Sequence, residues 1–212
     1  MNEDWTGIVD GLRAEAQRMH EAREGALARC RLLIQISAKC IRHLHRGQFD
    51  EARILLQSAK DAAAAAREPI RAFPEIYYAG YLQDAEKELV EAAAVLSMIA
   101  GEPFPRPAEL GVGLVPFLHG LGEAASEVRR YALDELRKGR ADNAEAILVQ
   151  METIYDDLIT FDFPDGMTGG LRRTTDALRA VIERTRSDLT ATAVQHRLIQ
   201  ELEATRARLP KT

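Results

Sequence analysis

The stretch Lys87–Gly101, "KELVEAAAVLSMIAG", decides the fold. After Glu91 it turns apolar on every side, which is the pattern of a helix sunk in a protein interior. Two carboxylates, Glu88 and Glu91, stand at the mouth of that run, spaced i, i+3 and therefore on one helix face. A buried helix with acids at its entrance asks for neighbours that cover the apolar part and for a reason to keep the charges.

The neighbours are helical too. Leu, Ala, Arg and Glu dominate the 212 residues, and β-branched runs are scarce. Leu27, Ile34, Ile41 and Leu44 recur at helical spacing in a first helix from about Trp5 to Arg46, and "HRGQFDEA" turns into an Ala-rich second helix. Pro69 and Pro74 bracket a break, and a third helix is expected from about Pro74 to Ala100. "GEPFPRPAELGVG", with three Pro and three Gly, is the longest irregular stretch. A fourth helix follows from about Val115 to Lys138. "GRADNAE" supplies a turn and an N-cap for a fifth, and "LRRTTDALRAVIERTRSDL" opens a long last helix. The expectation is an all-α, antiparallel bundle of about six to seven helices with long first and last members, forming one domain over residues 1–212.

Several function classes lose ground on composition. No segment reaches the ~18 apolar residues of a membrane span, and "MNEDWTGIVDGLRAEAQ" lacks a basic start and an apolar core, so a soluble, cytoplasmic chain without membrane partners is expected. Cys30 and Cys40 are ten residues apart in one helical pattern, roughly 15 Å along the axis, too far to bridge each other. Neither has a second Cys or a His at zinc-ligand spacing. The net charge of −5 runs against a nucleic-acid partner, although a net sum does not locate the charges.

A second acidic pair lies in "FLHGLGEAASEVRRYALDEL". Phe117, Leu121, Ala125, Val128, Ala132 and Leu136 form its apolar stripe, while Glu123 and Glu127 stand together at i, i+4 on another face with Arg130 one turn beyond. If the third and fourth helices pack antiparallel, four carboxylates converge. Such a group needs compensating positive charge, and oxygen-only ligands favour Mg²⁺ or Mn²⁺ over zinc. Glutamate is also a good helix former that commonly decorates wet surfaces. A ferritin-like di-iron site is disfavoured because neither pair carries Glu-x-x-His. His43 and His45 read as ordinary helix-surface residues. Arg31, Gln35, Lys39, Arg42 and Arg46 form a mostly basic stripe on the first helix, either an RNA backbone track or a solvated face.

Taken in order, these stretches resemble the translin/TRAX family. "SAKCIRHLHRGQFDEA" looks like the family's first helix and turn, "KELVEAAAVL" like the segment with the catalytic acidic pair, "FLHGLGEAASEVRR" like the helix that completes the site, and "LRRTTDALRAVIERTRSDL" like the last helix. Translin-type chains bind RNA or single-stranded DNA, and TRAX-type chains carry the acidic set and cleave RNA. With Glu at 88 and 91 the chain resembles the catalytic kind; Glu123 stands where the family commonly has Asp. The resemblance implies Glu88, Glu91, Glu123 and Glu127 as catalytic metal ligands for Mg²⁺ or Mn²⁺, an endoribonuclease acting on single-stranded RNA, and a hollow octamer. We expect this octamer to form from one chain type. Arg31, Lys39 and Arg130 are the candidate nucleic-acid contacts. Two other readings stay open: a noncatalytic RNA or single-stranded DNA-binding assembly, and an all-α Mg²⁺-dependent nucleotide pyrophosphatase.

Overall fold

Helix follows helix throughout the computed structural model, which describes residues 3–208. Among those residues there are helices, turns and loops but no strand. Six helices of 18 residues or more carry the architecture: α1 (Glu3–His45), α2 (Phe49–Arg67), α4 (Tyr81–Ala100), α6 (Leu114–Arg137), α7 (Ala141–Leu158) and α9 (Leu171–Arg208). Three single turns punctuate them, α3 (Pro74–Tyr77), α5 (Pro107–Leu110) and α8 (Asp165–Thr168), with a 3₁₀ turn at Glu68–Ile70. The long first and last helices are present, at 43 and 38 residues. Among the described residues no helix is long and apolar enough to cross a membrane.

The chain forms two compact units that divide between Leu121 and Gly122, inside α6. In the first, α1 turns back into α2 through Gly47, whose φ of 72° suits glycine. Ala52, Ala59, Ala63 and Ala66 are fully buried on α2, so small side chains line its inner face. Leu33 of α1, Ile70 of the 3₁₀ turn and Leu82, Leu89 and Val90 of α4 complete this core. In the second unit, Met151 and Leu158 of α7 and Leu178, Ile182 and Leu189 of α9 are buried, and Arg129 of α6 binds Asp188 of α9 at 2.7 Å.

Two sequence expectations need correction. The expected third helix from Pro74 to Ala100 is interrupted at residues 78–80, where Gly80 takes φ 104° and restarts the chain as α4. Gln83 secures the restart by accepting from the Gly80 amide at 3.2 Å and donating to the Tyr77 carbonyl at 2.8 Å. The apolar stripe on α6 also shifts: Ala125, Val128 and Ala132 are buried, but Glu135 takes the next buried position while Phe117, Leu121 and Leu136 are half-buried.

Candidate functional site

Glycine sets how closely α6 approaches α4. A Cβ built on Gly120 would lie 2.5 Å from Val90 Cβ and 2.8 Å from the Lys87 carbonyl oxygen, so only glycine fits this crossing. Val90 and Lys87 flank Glu88 on α4, and Glu123 follows Gly120 by almost one turn of α6. The buried face of α4 runs through Leu89, Val90, Ala92 and Ala93, which leaves Glu88 and Glu91 half-buried at its margin.

Glu88, Glu91 and Glu123 each present a carboxylate oxygen, and these atoms lie within 4.8 Å of one another. Glu127 lies outside that trio, half-buried one turn further along α6. Two ionised carboxylates at such a separation repel by about 3 kcal/mol at an effective dielectric of ~20, so a fully charged trio requires compensation. Its donors are oxygen only, which suits a hard cation such as Mg²⁺ or Mn²⁺. Sulfur plays no part: both cysteines are free and buried, and Cys40 donates to the Ala52 carbonyl.

The candidate nucleic-acid contacts are in solvent. Arg31, Lys39 and Arg130 are exposed, as are Gln35, Arg42 and Arg46 of the same α1 stripe. Arg130 borders a shallow groove with Glu127, Arg129 and Asp134. His43 and His45 are half-buried with their Nδ1 atoms inside, not the plain surface residues that the sequence suggested. His119, half-buried one turn before Glu123 on α6, was not singled out by sequence reasoning.

Two further charged groups hold the frame, and both escaped the sequence reading. Glu86 is 2% exposed and accepts from Arg67 Nε at 2.5 Å, while Arg67 also donates to the Leu110 carbonyl at 3.0 Å. Burial pushes the Glu86 carboxyl up, with Arg67 opposing. Glu135, 1% exposed, accepts from Arg140, from Lys138 at 3.1 Å and from Asn143 at 2.9 Å, and these partners, Arg140 foremost, hold it at about 2. Asn143 therefore joins Glu135 instead of capping α7, whose N-cap is Arg140 with no side-chain cap bond. The signal for both was an acid on an otherwise apolar helix stripe.

No protein-family model matches the chain. An uncharacterized protein of Methanocaldococcus jannaschii is 26% identical over 181 residues, covering 84% of this chain and 79% of that protein. Among solved structures, AfC3PO in complex with duplex RNA is 38% identical with a TM-score of 0.81, covering 88% of this chain and 97% of that one. A crystal structure of AfC3PO gives the same identity and coverage at a TM-score of 0.82. Apo-NeC3PO, at 24% identity and a TM-score of 0.78 over 87% and 96% of the two chains, shares the fold. With more than a third of its residues identical across almost the whole length of a C3PO chain, and with the family's order of helices, the chain belongs to the translin/TRAX family.

Proposed function

We propose that the chain is a metal-dependent endoribonuclease that cleaves single-stranded RNA at Glu88, Glu91, Glu123 and Glu127, as a closed homo-octamer in the cytoplasm. The observation that carries the reading is the trio Glu88, Glu91 and Glu123, half-buried, with carboxylate oxygens mutually within 4.8 Å. The RNA complex of AfC3PO, to which the chain is 38% identical, supports RNA as the ligand class.

The donor set fits Mg²⁺ or Mn²⁺, which Glu88 and Glu91 from α4 and Glu123 from α6 would hold, with Glu127 one turn further along α6 as the group that would orient a water. A divalent cation in that place supplies water activation and neutralises charge developing on the phosphate. The chain's own contribution is placement. The Gly120 crossing fixes the spacing of the two helices, and the half-burial of the acids limits competing solvent. Arg31 and Lys39 attract the phosphate backbone, and Arg130 meets the phosphate or the leaving oxygen. These local cations reconcile an RNA substrate with a net charge of −5.

The test is incubation of purified protein with labelled single-stranded RNA, a matching DNA and a nucleoside triphosphate, in Mg²⁺, Mn²⁺ or EDTA. RNA cleavage that stops in EDTA and returns with either metal is expected. Tight RNA binding with no cleavage in any metal would favour the noncatalytic translin-type reading. Turnover of the triphosphate with intact RNA would favour a pyrophosphatase.

A further inference from the structure

Both terminal helices outrun the cores they serve. Among the described residues the first buried side chain on α1 is Ala26 and the last on α9 is Leu189, so nineteen residues of α9 continue to Arg208, roughly 28 Å of helix. These overhangs are not polar all round. Trp5, Ile8 and Leu12 recur at helical spacing on α1, as do Val194, Leu198 and Leu202 on α9, and every one is at least half exposed. On α1 the overhang stripe continues the face on which Leu33 and Leu44 are buried, whereas on α9 Val194, Leu198 and Leu202 form a separate apolar stripe on the side opposite the buried Leu178, Ile182 and Leu189, and neither stripe is covered by its own unit. An amphipathic helix with an uncovered stripe at this spacing pairs with another helix.

The charges select the pairing. Residues 3–16 of α1 carry four carboxylates against one arginine, whereas residues 190–208 of α9 carry three arginines against two glutamates. Two α1 overhangs would oppose like charge, and so would two α9 overhangs. An α1 overhang against an α9 overhang joins opposite signs. We propose that the α1 overhang of one protomer docks on the α9 overhang of a second copy of this chain. The contact is heterologous, and repeating it from copy to copy closes a ring if the rotation permits. The inference rests on the assembly proposed above only for the existence of a second copy.

Cross-linking tests it. Cys30 and Cys40 are buried, and burial pushes their thiols up to about 11 and about 12, so introduced cysteines are the reactive ones. Ile8→Cys and Leu198→Cys chains, carrying tags of different size and co-expressed, should give a covalent heterodimer with a short bis-maleimide; either variant expressed alone should give at least tenfold less. Equal cross-linking within single variants, or none in the co-expressed pair, overturns the pairing. As a second arm, Leu198→Glu/Leu202→Glu lies outside the buried core and should keep its helicity while its light-scattering mass falls to half or less. A wild-type mass in that variant overturns the contact but leaves the assembly standing, and a monomeric wild type overturns both. RNA cleavage is scored separately and bears on the carboxylate site alone.

Discussion

Gly120→Ala probes the link between packing and site. The new Cβ would sit 2.5 Å from Val90 Cβ, 2.7 Å from its Cγ1 and 2.8 Å from the Lys87 carbonyl oxygen, against the ~3.5–4.0 Å that carbon contacts prefer. Val90 is fully buried and the carbonyl belongs to the α4 backbone, so neither can swing away; the two helices must part by about 1 Å. Overpacking of this kind costs about 1–3 kcal/mol, and the better helix propensity of alanine returns up to ~1 kcal/mol. The net, about 0–3 kcal/mol, corresponds to a drop in Tm of up to about 12 °C for a chain of this size. The effect on the site is larger, because a displacement of ~1 Å at reacting groups costs about 100-fold in rate. Thermal melts and RNA-cleavage rates should therefore fall together, with cleavage falling further. Gly166→Ala, which has nothing within 4 Å of its new Cβ, should change neither. Wild-type melting and wild-type cleavage in Gly120→Ala would refute the claim that this glycine sets the spacing of the carboxylates.

Two other substitutions test the frame. Glu135→Gln should destabilise the protein by about 1–3 kcal/mol at pH 7. The folded-state value of about 2 lies below the ordinary 4.5, so this stability is present above pH ~4.5 and lost as the pH falls towards ~2; the gap between wild-type and variant melts should close over that range. Arg67→Met leaves Glu86 buried without its cation, and urea melts should show a loss of about 3–5 kcal/mol. Adding Glu86→Gln should recover part of it, and a double variant no better than the single one would contradict the pairing.

Periodicity made most of the fold legible. The six long helices follow from apolar spacing, and the acidic trio from two carboxylate pairs on the third and fourth expected helices. The details that failed depend on tertiary contacts. Nothing in "EIYYAGYLQD" marks Gly80 as a break in place of a tolerated helical glycine, because its positive φ is supported by the Gln83 bonds. "GRADNAE" reads as a turn with an N-cap, yet α7 starts after Arg140 without a side-chain cap bond, and the side chain of Asn143 donates to Glu135 of the preceding helix. Glu86 and Glu135 are good helix formers whose burial becomes visible only when Arg67 and Arg140 are found beside them.

The carboxylate site is tested most directly by cleavage of labelled single-stranded RNA by Glu91→Ala in saturating Mg²⁺, with circular dichroism and light scattering on the same samples. Half-burial at the margin of α4 makes the variant tolerable to the fold, so helicity and mass should match wild type while cleavage is abolished. Full cleavage by a correctly folded and assembled Glu91→Ala protein would contradict a nuclease centre built on Glu88, Glu91 and Glu123.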